Sequence, residues 1–140
     1  MASVNASFAW NGVYHLEHEW VKVWINQDGT IDLFYNITVT LDSGDNITFL
    51  YIGQPKADFT IGSAVYQYGN NLTTYDVSTS TDYKVRVDLH SQLTAGQTIW
   101  LTLTTNVGQM IYTDTMNTGN IGMQFIPCWW PVNVQDLRVS

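Results

Sequence analysis

Basic side chains are scarce. Lys22, Lys56, Lys84, Arg86 and Arg138 are the five cations of a 140-residue chain that carries 12 acids, for a net charge of −7. They form no cluster, so the phosphate-neutralising stripe needed for nucleic acid is missing, as is its counterpart for anionic lipid. Charged residues make up 12% of the chain, about half the usual ~25%. Cysteine occurs once, at Cys128. No internal disulfide can form, and the thiol reads as a small buried hydrophobe. No stretch reaches the ~18 apolar residues of a membrane span, so this segment itself is not expected to insert. The start lacks the charged and then apolar regions of a secretion signal, and Met1-Ala2-Ser3 reads as an addition in front of a mature domain.

Signatures of chemistry are equally thin. There is no Gly-x-Ser-x-Gly elbow, no phosphate-cradling glycine loop and no dinucleotide fingerprint. The densest titratable cluster is His15-Leu16-Glu17-His18-Glu19. Zinc proteases place His-Glu-x-x-His on a helix so that both rings share one face. Here the histidines are three apart, and on a strand His15 would share a face with Glu17 and Glu19 while His18 pointed away. Structural or surface roles are the expectation for this cluster. Calcium suits loop aspartates better than zinc does, but no Asp-x-Asp-x-Asp spacing occurs. Glycosidase chemistry needs two carboxylates flanking a cleft. Most acids here sit in turns (Asp28, Asp42, Asp45) or at outward strand positions (Asp32, Asp88), where solvation is the simplest role. The sequence therefore leads us to expect no catalytic residue, no metal site and no cofactor.

What the chain does contain is alternation. Ile31, Leu33, Tyr35, Ile37, Val39 and Leu41 hold every second position, with Asp32, Phe34, Asn36, Thr38 and Thr40 between them. This is the pattern of a long strand with one buried and one wet face, and it cannot line one side of a helix. Trp20–Asn26 alternates as well, and Gln27-Asp28-Gly29-Thr30 supplies Asp-Gly turn chemistry, so the two runs form a hairpin. Asp42–Asp45 reads as a second turn and Asn46–Ile52 as a third strand. Its Phe49-Leu50-Tyr51-Ile52 is apolar on both parities, as in a strand covered on both faces. Further strands are expected around Phe59, Val65-Tyr66, Tyr75–Val77, Tyr83–Leu89, Thr98–Thr105, Met110–Thr113, Ile121–Ile126 and Val132–Val139. Gly12–Glu19 is ambiguous, and residues 1–11 read as an arm or first edge strand. Threonine, asparagine and aromatic residues fill the places that charges would take, a composition suited to β-structure. A chain of this length can bury roughly 68–70% of its unfolded surface. The expectation is a single all-β domain over 1–140: an antiparallel β-sandwich, immunoglobulin-like or jelly-roll-like, with eight or nine strands.

Several motifs follow an order seen elsewhere. They are the Asp28-Gly29 hairpin, Tyr35-Asn36-Ile37-Thr38, Ile52-Gly53-Gln54-Pro55, Leu93-Thr94-Ala95-Gly96-Gln97, Met110-Ile111-Tyr112-Thr113-Asp114 and Gln124-Phe125-Ile126-Pro127-Cys128-Trp129-Trp130. From about Trp20 to Val139 the chain resembles the extracytoplasmic β-domains of membrane-anchored proteins of archaea and some bacteria. Cys128 departs from that pattern, where a threonine or other small residue is expected. The resemblance implies an outside-facing domain and carries over no catalytic residue. It also implies an ectodomain that stops before a following segment.

Two further features bear on surface roles. Asn-x-Ser/Thr sequons begin at Asn5, Asn36, Asn46 and Asn71. Asn36 lies on the wet parity of the central strand and Asn46 beside a turn, so Asn36, Asn46 and Asn71 are candidates for N-glycosylation. Six tryptophans occur. Trp20 and Trp24 share the face opposite Val21, Val23 and Ile25, and Phe34 adjoins them across the hairpin. The three could form an exposed apolar interaction patch or belong to a second packed layer. Together these features set the functional expectation. It is a non-catalytic extracytoplasmic β-sandwich, a protein-interaction or adhesion ectodomain whose partner is a protein or glycan at the cell surface. A carbohydrate-binding module and a self-assembling subunit of a filament, sheath or capsid are the alternatives.

Overall fold

The computed structural model describes residues 11–108, 111–113, 121–123, 130 and 132–140, with 111–113 and 121–123 described by their backbone alone. The elements are β1 (Gly12–Ile25), β2 (Ile31–Gly44), β3 (Ile47–Gly53), β4 (Phe59–Tyr66), β5 (Thr74–Asp76), β6 (Lys84–Leu93), β7 (Thr98–Val107), β8 (Ile111–Thr113), β9 (Ile121–Met123) and β10 (Leu137–Val139). No helix occurs among the described residues. A five-stranded sheet runs in the order β10-β1-β2-β7-β4 and a three-stranded sheet in the order β3-β6-β5, while β8 and β9 pair as a ribbon. The chain is thus all-β and sandwich-like, as its alternation predicts.

The β1–β2 hairpin shows how sequence sets geometry. Gly29 adopts φ +88°, a conformation that favours glycine. The Asn26 N–H bonds the Thr30 carbonyl at 2.9 Å. Asp28 Oδ1 accepts from both the Thr30 N–H at 3.0 Å and its hydroxyl at 2.7 Å. Those bonds hold the Asp28 carboxyl below its ordinary value, with the Thr30 side chain the larger cause. From this turn the register runs Trp24↔Asp32, Lys22↔Phe34 and Trp20↔Asn36. The inner parity of β2 is sealed: Ile31, Leu33, Tyr35, Ile37, Val39 and Leu41 are at most 1% exposed. They meet Leu101, Leu103 and Val107 of β7 and Leu50, Ile52, Val85 and Val87 of the smaller sheet in one apolar cluster.

The structure departs from the sequence reading in β1, β2, β3 and β10. Residues 12–19, ambiguous in sequence, form the first half of β1. Asp42–Gly44 continues β2 instead of turning. Gly44 has φ +93°, and a Cβ there would meet the Asn11 carbonyl oxygen at 2.5 Å, so the close approach of β1 and β2 at this end requires glycine. β3 is covered by the core on one face only. On the other, the Arg86 guanidinium lies 4.2 Å from the Phe49 ring and the Lys84 ammonium 4.7 Å from the Tyr51 ring, so cations stand where a second apolar layer was expected. Lastly, β10 runs parallel to β1, an exception to an otherwise antiparallel arrangement. Cys128, Trp10, Trp129, Asn5 and all but the last residue of the expected arm over 1–11 lie outside the described residues.

Because the inner face of β2 is fully buried and its outer neighbours are not, paired substitutions should separate the two faces. Leu33→Ala is expected to cost ~2–5 kcal/mol in urea unfolding. Thr102→Ala, on the outer face of β7, is expected to cost less than about 1 kcal/mol.

Candidate functional site

The outer face of the five-stranded sheet carries most of the organised polar chemistry. Its geometry starts from a register shift between Leu16 and His18, where Leu16 pairs with Val39 but His18 pairs with Thr38. One extra residue at Glu17 resets the parity. His15, Glu17 and His18 therefore all make contacts on the outer face, and Glu19 turns into the core. The sequence-based grouping of His15 with Glu17 holds, but its placement of Glu19 beside them and of His18 opposite is corrected by this bulge.

His15 is clamped. Nδ1 lies 2.8 Å from Asp42 Oδ2 and Nε2 lies 2.8 Å from Glu17 Oε1. Only the doubly protonated ring donates to both carboxylates. Asp42 first and Glu17 second raise the His15 pKa above its ordinary 6.5. His15 and then Thr40 hold Glu17 below its own ordinary value. The Thr40 hydroxyl donates to Glu17 Oε1 at 2.9 Å and lies 2.7 Å from Thr98 Oγ1, which carries the network across three strands. His18 Nε2 contacts Asn36 Oδ1 at 3.1 Å and Thr38 Oγ1 at 3.0 Å. Its ring stacks on Trp20 with centroids 3.8 Å apart and planes 14° apart. Arg138 of β10 lies 4.8 Å from the Trp20 ring and pairs with Asp136 at 3.0 Å. Asp136, held low chiefly by Arg138, also faces the Trp20 indole N–H, which closes no well-formed hydrogen bond.

The predicted patch is thus only partly assembled. Trp20, Trp24 and Phe34 share the outer face, but Trp20 is half-buried between His18 and Arg138, and Lys22 stands between the two indoles opposite Phe34. Trp24 is 52% exposed, and Trp100 of β7, opposite Thr38, is 42% exposed. Of the candidate glycosylation positions, Asn36 is engaged by His18, while Asn46 and Asn71 are exposed.

Glu19, grouped in sequence with the outward His15 and Glu17, is instead a buried acid. It is fully buried, and its register partners are Ile37 on β2 and Leu137 on β10. Its Oε2 accepts from the Trp130 indole N–H, and its Oε1 has no partner among the described residues. Burial raises its pKa to about 7, opposed in part by the Trp130 bond. The signal was available, because Glu19 shares the parity of Val21 and Val23. Trp130 also forms one wall of a groove of about 660 Å³ beside β3, together with Tyr14, Phe49, Leu50, Tyr51 and Lys84. A second buried polar pair, Thr105 Oγ1 donating to Gln54 Oε1 at 2.9 Å, ties the end of β3 to the large sheet. Among the described residues, no group of three or more His, Cys, Asp or Glu is placed to hold a metal ion.

The chain matches no protein-family model and no curated protein sequence. Its fold is similar to parts of solved metallopeptidases. An M1 zinc metallopeptidase from Deinococcus radiodurans superposes with a TM-score of 0.54 at 15% identity, over 70% of this chain and 21% of that one. A two-domain M1 zinc metallopeptidase bound to L-tryptophan gives 0.53 at 17%, over 70% and 21%. Native leukotriene A4 hydrolase from Saccharomyces cerevisiae gives 0.52 at 7%, over 73% and 15%. The match spans about a fifth or less of the length of these structures. The fold is therefore one that occurs within metallopeptidases. This likeness overturns the expectation of a non-catalytic adhesion or interaction ectodomain, along with its carbohydrate-binding and self-assembling alternatives. Those readings leaned on a two-layer strand scaffold, and the same scaffold is built into peptidases.

The titrating groups make stability depend on pH with a definite sign. Folded Glu19 keeps its proton to about pH 7, whereas the unfolded carboxyl loses it near 4.5, so stability falls as pH rises through that window. The stability that His15 supplies is present below 6.5 and is lost as pH rises through its raised folded value. Glu17, with a lowered pKa, contributes above 4.5 and loses its contribution as pH falls. Urea unfolding over a pH series should therefore find maximum stability on the acid side of neutrality. Glu19→Gln should flatten the decline between 4.5 and 7, a change of up to about 3 kcal/mol. In the Glu19→Gln background, His15→Gln should remove the decline that persists above 6.5.

Proposed function

We propose that the chain is a scaffold domain of a peptidase-type protein, presenting the outer face of its large sheet to a companion domain that carries the metal and the reacting groups. The observation behind this reading is that one sheet face is both pre-ordered and open. The His15–Glu17–Asp42 clamp and the His18–Trp20–Arg138 stack fix side chains in place, while Trp24 and Trp100 remain 52% and 42% exposed. Exposed indoles over fixed polar groups are the usual make-up of an interface whose aromatic anchors become buried. The fold likeness supports the peptidase context, since one neighbour is described as a two-domain enzyme and the similarity spans 21% of it. In this reading the domain contributes a wall to the site formed with the companion domain.

Two measurements test the reading. The purified chain should bind no stoichiometric zinc and hydrolyse no aminoacyl-arylamide when zinc is added. Zinc-dependent turnover by the chain alone would overturn the scaffold role. In a longer polypeptide carrying this domain beside a catalytic domain, acrylamide should quench Trp24 and Trp100 less than in the isolated chain, read as the difference from Trp24→Phe and Trp100→Phe variants. Equal quenching in both would remove this face as the docking surface.

A further inference from the structure

We propose that the folded domain presents Asn71 as the acceptor for an N-linked glycan, in preference to Asn36 and Asn46. The proposal is independent of the scaffold reading and carries with it a location outside the cytoplasm, where such transfer takes place.

Glycan transfer needs the asparagine amide nitrogen uncommitted and the hydroxyl two residues later accessible on the same side. The Asn71-Leu72-Thr73 tripeptide meets both needs. It lies between β4 and β5, after a turn closed by the Gly69 N–H on the Tyr66 carbonyl and the Tyr66 N–H on the Asn70 carbonyl, both at 2.8 Å. Leu72 is 9% exposed, and its N–H bonds the Ala64 carbonyl at 2.8 Å, which pins the middle of the sequon to the core. Asn71 and Thr73, on either side of it, are both exposed. Alternation along an extended tripeptide puts the amide and the hydroxyl on the solvent side together. Among the described residues no hydrogen bond engages the Asn71 side chain, which leaves Nδ2 available.

The other two sequons among the described residues are committed. Asn36 sits mid-way along β2, with β1 and β7 paired on either side. His18 Nε2 contacts both Asn36 Oδ1 and Thr38 Oγ1, so one ring occupies both ends of that sequon. Enzymatic access would require opening the central strand of the domain. Asn46 is exposed, but its Nδ2 donates to Gln92 Oε1 at 2.8 Å.

The donor is an oligosaccharide linked to a polyprenyl diphosphate. Asn71 Nδ2 attacks C1 of the first sugar and the C1–N bond forms. The C1–O bond to phosphate breaks, polyprenyl diphosphate leaves, and the amide proton passes to a base of the transferase. The product would stand over a particular edge. β4 ends the larger sheet, β5 ends the smaller one, and Asn71 bridges Val65 between them. A hydrated glycan there would screen edge strands from pairing with another chain.

The test uses the folded chain, an oligosaccharyltransferase that accepts folded substrates, and its lipid-linked donor, read by intact mass and glycopeptide mapping. The expected result is a mass gain of one glycan, mapped to the peptide containing Asn71. Asn71→Gln and Thr73→Ala should each abolish it, Asn36→Gln should leave it in place, and circular dichroism should confirm that every variant keeps its strand signal. The chain unfolded in urea and diluted into the reaction should gain modification at Asn36 as well. Transfer to Asn36 or Asn46 of the folded chain without transfer to Asn71 would overturn the proposal. So would an unmodified folded chain under conditions where a free peptide spanning Asn71–Thr73 is modified.

Discussion

Six alternate side chains of β2, from Ile31 to Leu41, are at most 1% exposed, and the rest of the molecule is arranged to keep them so. β2 sits between β1 and β7, so its backbone groups are paired on both sides. Its inner row needs a lid, which the apolar faces of β3 and β6 supply. Hydrophobic burial of this kind is non-directional. What gives it direction is the period of two, because a slip of one residue would put the whole row in water. The Asp28-Gly29 turn fixes the starting register, and the Gly44 close approach fixes the far end of the same pair.

That constraint explains which parts of the fold were legible. Where residues alternate, as in Ile31–Leu41, Tyr83–Leu89 and Thr98–Thr105, strand position and facing follow from the sequence. Where a bulge resets the period, they do not. The extra residue at Glu17 makes His15, Glu17 and His18 outward and Glu19 inward, an arrangement that no uniform period of two or 3.6 produces. β3 misled for a different reason. Phe49 and Tyr51 are apolar in sequence but lie beneath Arg86 and Lys84, which themselves pair with Asp88 and Asp82. Long cationic stems can cover a ring while keeping the charged head near water, so a two-sided apolar run was not a two-sided core. The parallel return of β10 beside β1 rests on backbone bonds from Leu16, Glu19 and Val23 to Asn133, Asp136 and Ser140, contacts between distant segments that local pattern does not carry.

The candidate site was legible in its members and not in its assembly. His15, Glu17, Trp20, Trp24 and Phe34 stand out in sequence, and the structure puts them on one sheet face. Their partners come from elsewhere: Asp42 at the end of β2, Thr98 on β7, Arg138 on β10. The functional expectation, which leaned on the scaffold, is overturned for a physical reason. A two-layer sheet answers the problem of burying an alternating strand, and many activities are grafted on to that answer. Only the site, or a likeness with its surroundings, discriminates among them.

Glu19 connects the two halves of the molecule. Its backbone belongs to the large sheet, its carboxyl accepts from Trp130, and Trp130 lines the groove beside β3 in the small sheet. A neutral carboxyl in that position can still accept from the indole, and loss of its proton would leave a charge in a fully buried place. Ionisation there would strengthen the bond to Trp130 and weaken the burial of the acid itself. The raised pKa shows that the second effect is the larger. The Glu19 carboxyl can thus hold the Trp130 indole in either protonation state, and through that indole one wall of the groove is tied to a single buried acid.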